Sequence, residues 1–349
     1  MTTERTSPLS SLPPPPDPRW ELSPPAETRE VSRLASELNL PQPLCRILAV
    51  RGMGAPDEAR GFLRPLIDHL HPPEALRDGA VAARRITDAV ANGETIFVHG
   101  DYDVDGICAT ALLTGVLRGL GGQVVPFVPH RLRDGYDLGE GGIQAAKRAG
   151  ASLLVTVDCG IRALEAVRSA GESGMDVVVT DHHTPGDTLP EALAVVNPSR
   201  ADATYPEADL CGAGVAFKLA QLVAARAGHP DPRLLDELDL VALATVADLV
   251  PLRGENRILV RFGLKVLAES RRPGLRALLE VTGLAGGEIT AGRVGFSLGP
   301  RLNAAGRVGE TQSSLDLLLS KDIGEARRLA QELERDNARR QNEDRTTLD

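Results

Sequence analysis

Short apolar runs alternate with longer segments of helical periodicity through the middle of the chain. The runs are rich in β-branched residues and are predicted to be strands at Thr95 to Val98, Val124 to Val128, Leu153 to Val157, Val177 to Thr180 and Ala194 to Val196. Parallel strands need long crossovers, and helix-length segments between the runs supply them. We therefore predict an α/β fold with a doubly wound, mainly parallel sheet, followed by a helical region and a long C-terminal connecting helix.

The hydrophobic pattern divides the chain into five parts. They are a disordered Pro-rich tail (1–28), a helical cap (29–80), the α/β domain (81–255), a helical region (256–322) and a long connecting helix (323–349). The tail contains Pro13 to Pro16 and few residues that a core could bury. In the cap, Pro41 and Pro43 interrupt the helical spacing. The last part is highly charged and has few apolar anchors.

Composition limits the classes of function. The formal net charge of −9 argues against a surface that grips nucleic acid everywhere by charge, so any phosphate binding has to be local. No apolar stretch approaches the ~20 residues that a membrane helix needs. We expect a cytoplasmic monomer that does not contact membranes. The four cysteines have no C-x-x-C spacing and are expected to be reduced and buried.

Acidic residues and histidines follow three of the predicted strands. They are His99, Asp101, Asp103 and Asp105 after the first strand, Asp158 after the third, and Asp181, His182 and His183 after the fourth. A single aspartate after a strand commonly caps the next helix. However, the carboxyl ends of parallel strands form the ligand crevice of open α/β sheets, and here three strands deliver such groups to one rim. The pattern therefore predicts a functional site.

The chemistry of this rim indicates divalent cations. Aspartates with a few histidines are the ligand set of Mg²⁺ or Mn²⁺, and the cations offset the repulsion between the carboxylates. Asp158, at the centre of the rim, is placed to bridge two ions ~3.5 to 4 Å apart, an arrangement that activates water in phosphoester cleavage.

Four sequence motifs resemble those of a known protein family. H-G-D-Y-D-V-D-G, T-V-D-C-G, T-D-H-H and A-T-V-A-D-L-V occur in the order and spacing of the DHH phosphoesterase family, which the chain resembles. The flanking segments A-V-R-G-M-G-A-P-D-E-A-R-G-F-L, V-P-H-R-L-R-D-G-Y, L-C-G-A-G-V-A-F-K-L and S-L-G-P-R-L-N-A-A-G-R resemble the branch of this family formed by bacterial single-stranded-DNA exonucleases. The resemblance covers about residues 30 to 345.

The resemblance implies roles for the individual residues. One metal would be held by His99, Asp103 and Asp158, and a second by Asp105, Asp158, His182 and Asp248. The catalytic group would comprise Asp103, Asp105, Asp158 and His183, with His183 on the scissile phosphate. Asp101 has no certain ligand role, and Asp181 would orient an imidazole. Asp248 also lies in an apolar helical pattern, where an acid is unfavourable unless it faces a polar site.

Further contacts to phosphate are expected from Arg131, Arg301 and Asn303, and less firmly from Arg307. A guanidinium fork binds phosphate in bidentate fashion, whereas the alternative for each arginine is a surface salt bridge. The resemblance also implies a DHH-associated domain and an OB domain after the long helix. We expect this chain to lack both.

The acidic rim thus predicts a two-metal, Mn²⁺- or Mg²⁺-dependent phosphodiesterase, and the resemblance implies a 5′→3′ exonuclease on single-stranded DNA in repair and recombination. Other repair proteins are possible partners. Two alternatives stay open: a relative that degrades short oligonucleotides or cyclic dinucleotides, and a catalytically silent scaffold in replication assemblies.

Overall fold

The structure is a computed structural model of the 349-residue chain. It describes residues 19, 21, 24–131, 133–135, 137–308 and 311–348. Most of the predicted disordered tail therefore lies outside the described residues. The chain separates into two compact units, Met1–Arg64 and Pro65–Asp349. The predicted boundary of the cap, at residue 80, falls inside the second unit.

The first unit contains three helices, α1 (Thr28–Leu38), α2 (Gln42–Val50) and α3 (Pro56–Leu63). Their apolar faces meet in a small core that includes Val31, Leu34 and Cys45. The two prolines of the predicted break lie at the start of α2, where a fixed φ and a missing N–H are tolerated. The predicted helical character of this segment is therefore observed.

The second unit is built on five parallel strands. They are β1 (Thr95–Gly100), β2 (Gln123–Phe127), β3 (Leu153–Val157), β4 (Asp176–Thr180) and β5 (Ala194–Val196). Their order in the sheet is β2-β1-β3-β4-β5, and every neighbouring pair is parallel. The predicted doubly wound sheet is confirmed, and the direction of winding reverses between β1 and β3.

Helices cover both faces of the sheet. Those of the α/β part are α4 (Gly79–Asn92), α5 (Val104–Gly119), α6 (Glu140–Arg148), α7 (Leu164–Glu172), α8 (Gly212–Arg226) and α9 (Leu238–Ala247). Successive side chains of a strand point to opposite faces. Accordingly Ile96 and Val98 join the larger core with α4, α5, α8 and α9, while Phe97 joins a second core with α6 and α7. Helices α5 and α8 are apolar on nearly all sides because they are buried on nearly all sides.

The remaining helices follow α9. They are α10 (Gly254–Ala268), α11 (Pro273–Val281), α12 (Ala291–Arg293), α13 (Gly299–Val308), α14 (Gln312–Leu319) and α15 (Ile323–Leu348). A π-helical turn, Val294–Leu298, joins α12 to α13. The long helix α15 packs on this region through buried residues near its start, including Ala326, Leu329 and Leu333. No helix among the described residues is long and apolar enough to cross a membrane.

Candidate metal centre

The polar residues predicted from the sequence meet at the carboxyl ends of β1, β3 and β4, which are adjacent in the sheet. This position adjoins the point where the winding reverses, which is where open α/β sheets bind their ligands. Three groups of side chains there bring potential ligand atoms within 4.8 Å of one another. The groups are Asp158 with His182 and His183, Asp105 with His182 and Asp248, and Asp101 with Asp103 and Asp158.

Asp103 has one of the two roles that the sequence allowed, the cap of the following helix, and its role as a metal ligand stays a prediction. Its carboxylate caps α5 by accepting hydrogen bonds from the backbone N–H of Asp105 (2.9 Å) and Gly106 (3.1 Å). The backbone N–H of Val104, at the first turn, is bound instead by the side-chain oxygen of Asn303 at 3.1 Å. A Cβ at Gly106 would lie 2.4 Å from the carbonyl oxygen of Asp101, so only glycine lets the acidic loop fold this closely against the helix.

Asp105 is buried against the start of α8. Its two oxygens accept hydrogen bonds of 2.6 Å from the backbone N–H groups of Gly212 and Ala213. A helix N-terminus favours negative charge, and these amides hold the carboxylate in place. Burial nevertheless raises the pKa of Asp105 to about 8, and the charges of Asp248 and Asp103 add to the shift. The protein alone therefore does not compensate this carboxylate.

Asp158 lies at the end of β3 in a left-handed backbone conformation, with φ of 62°. Aspartate and asparagine enter this region more readily than most residues. A Cβ at Gly212 would lie 2.4 Å from the Cβ of Asp158, so α8 begins directly against this side chain. Burial and neighbouring carboxylates raise the pKa of Asp158 well above its usual range. Among the described residues, its Oδ1 has no hydrogen-bond partner.

His182 connects two of the groups. Its Nε2 lies 3.1 Å from Oδ1 of Asp158, 3.7 Å from Oδ2 of Asp105 and 3.8 Å from Oδ2 of Asp248. Burial lowers the pKa of His182 to about 4, so the ring is neutral at pH 7, the state in which imidazole binds metals. Its Nε2 is directed at these three carboxylates.

His183 differs from its neighbour in charge. Its Nδ1 lies 2.8 Å from Oδ1 of Asp181, and this hydrogen bond raises the pKa of His183 to about 9. The ring is therefore a cation at pH 7. Asp181 also accepts from the backbone N–H groups of His182 (2.7 Å) and Ile161 (3.0 Å). Asp181 thus orients both histidines, which is the supporting role expected for it.

His99 and Asp101 are placed differently from the implied ligand set. His99 is buried in β1, with its ring 5.2 Å from that of Phe127 and its Nδ1 3.6 Å from Sγ of Cys159. Burial lowers its pKa to about 4. Among the described residues it joins none of the three groups, and its role as a ligand stays a prediction. Asp101 does join one, and burial together with Asp103 raises its pKa to about 7.

Unsatisfied polar atoms test whether these residues fit a metal centre. Within the described part of the chain, His99 Nε2, Asp158 Oδ1 and His182 Nε2 are buried without a hydrogen-bond partner. Buried polar groups in native proteins almost always have partners, so three orphans among the implied ligands need an explanation. Carboxylate oxygens with imidazole nitrogens are the donors that Mn²⁺ and Mg²⁺ centres use, and the residues present fit a pair of such cations.

The implied phosphate contacts have different surroundings. Arg131 is exposed, and its guanidinium lies 5.5 Å from the centre of the Tyr102 ring. In the chain, Tyr102 lies between Asp101 and Asp103 of the site. Arg301 is paired with Glu334 of α15 and donates to the carbonyl of Ser297 at 2.7 Å. The structure therefore shows the salt-bridge alternative for Arg301. Its binding of DNA, like that of Asn303, stays a prediction, and the side chain of Arg307 lies outside the described residues.

Sequence reasoning did not assign a role to the amides of Gly212 and Ala213, which bind Asp105. The signal was present in the segment L-C-G-A-G, where small residues open a helix and let its N-terminus approach another group. Asp105 lies more than 100 positions earlier in the chain, at a separation of 107 from Gly212. No local pattern joins the two.

Comparison with known proteins agrees with this geometry. Residues 95–245 match the DHH family, N-terminal domain. The single-stranded-DNA-specific exonuclease RecJ of Bacillus subtilis is 39% identical over 324 residues, which are 93% of this chain and 40% of that protein. Its counterpart in Escherichia coli is 41% identical over 88% of this chain and 54% of that protein. The chain spans about half the length of the curated relatives it matches.

Solved structures give the same result. The crystal structure of RecJ from Thermus thermophilus in complex with Mn²⁺ is 37% identical and superposes with a TM-score of 0.78 over 92% of this chain and 46% of that one. A crystal structure of exonuclease RecJ bound to manganese is 42% identical, with a TM-score of 0.73 over 81% of this chain and 70% of that one. The chain therefore belongs to the DHH family. Within that family it is similar to the RecJ exonucleases over most of its length.

Proposed function

We propose that the chain forms the catalytic region of a metal-dependent phosphodiesterase that removes nucleotides from the 5′ end of single-stranded DNA. The observation that carries the proposal is the buried contact between Asp158 Oδ1 and His182 Nε2, 3.1 Å apart and otherwise unpartnered. These two residues are shared between the three groups of potential ligands. Cations placed there satisfy both atoms and the carboxylates around them.

The residues of this chain divide the work of hydrolysis. Two bound Mn²⁺ or Mg²⁺ ions would supply charge neutralisation and acidify water. Asp103, Asp105, Asp158 and Asp248 hold the ions, and the amides at the start of α8 fix Asp105. Neutral His182 adds a nitrogen ligand. His183 is cationic because Asp181 binds its Nδ1, and it presents this charge to the phosphate.

The substrate is supported by the relatives, which are named as single-stranded-DNA-specific exonucleases. In this chain, Arg131 stands at the rim above Tyr102 and is available to a phosphate. An enzyme with this activity acts in DNA repair and recombination, and we propose that it does so in the cytoplasm as a monomer with single-stranded DNA as its main partner.

The test compares substrates at saturating Mn²⁺. The chain is incubated with a 5′-labelled single-stranded oligonucleotide, the same oligonucleotide as a duplex, and a dinucleotide. We expect release of labelled mononucleotide from the single strand and little from the duplex. A 3′-labelled control separates polarities, because attack from the 5′ end shortens its labelled fragment progressively. Immediate release of the 3′ label would contradict the proposed polarity.

A second candidate is hydrolysis of short oligonucleotides or cyclic dinucleotides by the same centre. It is favoured by the net charge of −9 and by the pairing of Arg301 with Glu334, both of which leave little positive charge for a long strand. A higher kcat/KM on the dinucleotide than on the longer oligonucleotide would select this candidate. No hydrolysis of any of these substrates would select the silent scaffold.

A further inference from the structure

Two exposed apolar side chains lie on segments at the end of α9, where Asp248 is the C-cap: Leu249 follows it in the chain, and Phe296 is on a turn that packs against α9. Among the described residues, Phe296 and Leu249 are the most exposed large hydrophobic side chains, at 88% and 86%, whereas the next, Leu66, is 52% exposed. Exposed apolar residues scattered singly are ordinary, but the two extreme cases here are both on segments that meet at the end of α9.

Phe296 is carried by the π-helical turn Val294–Leu298. Val294 and Leu298 are fully buried, and Phe296 between them points to solvent. The turn packs on the end of α9, since a Cβ at Gly299 would lie 3.6 Å from the Cβ of Ala247, the residue before Asp248. Single π-helical turns inside helices occur frequently at functional sites. The ring is therefore held outward on a segment that rests against the metal centre.

Leu249 is strained as well as exposed. Its φ is 61°, the left-handed region, where a non-glycine residue costs about 1–2 kcal/mol. The residue after a helix C-cap commonly adopts this conformation, and glycine or asparagine usually occupies it. A leucine here is unfavourable in both backbone conformation and solvation. Such strain in native structures clusters at sites that bind or switch.

We propose that Phe296 and Leu249 form a base platform beside the metal centre, with one base of the single strand stacked on the ring of Phe296 and the strand held against Leu249. This inference rests on the proposed function and adds a contact to bases that none of the metal ligands can make. Stacking on an aromatic ring binds every base, and it needs no positive charge. That suits a chain with a net charge of −9 whose Arg301 is already paired.

The surroundings of Phe296 favour a base over a protein partner. Its chain neighbours Gly295 and Ser297, and the exposed Arg293 on the preceding helix, add no large apolar side chain to the ring. Protein interfaces use contiguous apolar patches. A single flat ring matches a single nucleobase. The shallow hollow beside it, about 160 Å³ and lined by Ala247, Gly299 and Asn303 among others, leaves room for the attached sugar.

The first experiment replaces the ring and then the base. Steady-state kinetics are measured for the wild-type chain, Phe296→Ala and Phe296→Trp on a single-stranded oligonucleotide. We expect Phe296→Ala to raise KM about 5- to 100-fold with kcat nearly unchanged, and Phe296→Trp to restore it. The kinetics are then repeated on a series of oligonucleotides that each carry one abasic site, at successive positions from the 5′ end. When the abasic site removes the base that stacks on Phe296, the wild type and Phe296→Ala should have the same KM. Leu193→Ala, an exposed apolar change next to β5, is the matched control and should leave KM unchanged.

The second experiment uses the strain at Leu249. Leu249→Gly relieves the left-handed conformation, so it should raise the thermal midpoint while it also raises KM for single-stranded DNA. A purely structural role would not give opposite changes in stability and binding. A wild-type chain that leaves single-stranded DNA intact would overturn the proposed function and the platform together. Cleavage by the wild type with the same KM for Phe296→Ala, on intact and abasic strands, would overturn the platform alone and leave this face to a protein contact.

Discussion

Two buried charged clusters in the same unit differ in how they are satisfied. In the first, Lys218 and Glu255 are fully buried and 2.6 Å apart. The ammonium also donates to the carbonyl of His71 at 2.8 Å, and the carboxylate accepts from the hydroxyl of Tyr205 at 2.6 Å and the N–H of His71 at 2.9 Å. The second is the candidate metal centre, where carboxylates crowd together and Asp158 Oδ1, 3.1 Å from His182 Nε2, has no hydrogen-bond partner among the described residues.

The difference shows how a structural charge cluster is told from a binding site. Burying a charge is unfavourable unless it is paired and hydrogen-bonded, and the Lys218–Glu255 pair meets both conditions inside the fold. In the candidate metal centre the carboxylates accept hydrogen bonds from backbone amides, but burial and mutual repulsion still raise the pKa of Asp101, Asp105 and Asp248. A buried cluster that the protein leaves uncompensated is arranged for ions from outside.

The largest effect is expected from Asp158→Asn. Asparagine keeps the side-chain shape and accepts the left-handed backbone, but it removes a charge that two groups of ligands share. Turnover on single-stranded DNA should fall at least about 1,000-fold at saturating Mn²⁺, while the metal-free thermal midpoint stays the same or rises. Rates and melting curves of the two proteins measure this. Turnover above a tenth of the wild-type value would remove Asp158 from the shared position.

The converse result is expected from Lys218→Met. Loss of the ammonium leaves Glu255 charged and buried, so the free energy of unfolding should fall by about 3–5 kcal/mol in urea denaturation. Turnover of the folded protein should not change, because Lys218 lies outside the metal centre. Lys147→Met, on the exposed surface of α6, is the control and should shift stability by less than about 0.5 kcal/mol. A loss as small as that of the control would refute the comparison.

His182 and His183 should separate binding from catalysis. His182→Ala removes a neutral ligand and should weaken Mn²⁺ affinity about 10- to 100-fold in calorimetric titration. His183→Ala should leave that affinity nearly unchanged and lower turnover by about 100-fold, because it removes a cation from the phosphate. Asp181→Asn is a graded control: without its partner the pKa of His183 falls from about 9, so activity should be lost mainly above neutral pH. Equal losses of metal affinity in both alanine variants would contradict this division.

The smallest expected effect is the pH dependence of stability when the metal is removed. In the metal-free fold the pKa is about 8 for Asp105 and about 9 for His183, both above their unfolded values. Between about pH 7 and 8.5 the folded state therefore binds more protons than the unfolded state, and its stability falls as pH rises. His99 and His182, with pKa near 4, are neutral in both states there.

Mn²⁺ replaces the proton on Asp105 but not the proton on His183, so the thermal midpoint should drop with pH in both conditions, and more steeply in chelator than in Mn²⁺. The difference in the free energy of unfolding between Mn²⁺ and chelator should grow by about 1–2 kcal/mol from pH 7 to 8.5. Asp158→Asn, which lacks one of the crowded carboxylates, should show a smaller change. The same chelator effect at both pH values would show that protons do not occupy the carboxylates of the empty centre.

Local pattern was sufficient to predict the sheet, because strand segments carry their own signal. Leu153 to Val157 and Ala194 to Val196 have the predicted bounds. β1 continues two residues past the prediction, to Gly100, because pairing with β3 extends to Val157. This extension places His99 inside a strand, which explains why its ring packs on Phe127.

Contacts between distant segments could not be predicted. Arginine is a residue type that commonly contacts phosphate, which is why Arg301 was predicted to do so. Its partner Glu334 is 33 residues away on α15, and which side of that helix faces Arg301 is set by packing in the core. The start of α5 at Val104 depends on the cap by Asp103 and on the bond to Asn303, which lies 199 residues away in the chain. The residue types of the site were readable from the sequence, and their pairing was set by tertiary packing.

The strand order has a consequence for how the chain folds as it is synthesised. Each strand after β1 joins an edge that already exists: β2 pairs with one side of β1, β3 with the other, β4 with β3, and β5 with β4. No strand has to be inserted between two that are already paired, so the sheet can grow outward from its first strand as the ribosome releases the chain. Asp105 appears early in this sequence, but the amides of Gly212 and Ala213 that hold it emerge only after β5. The nascent sheet therefore carries an unanchored acidic edge until α8 closes over it.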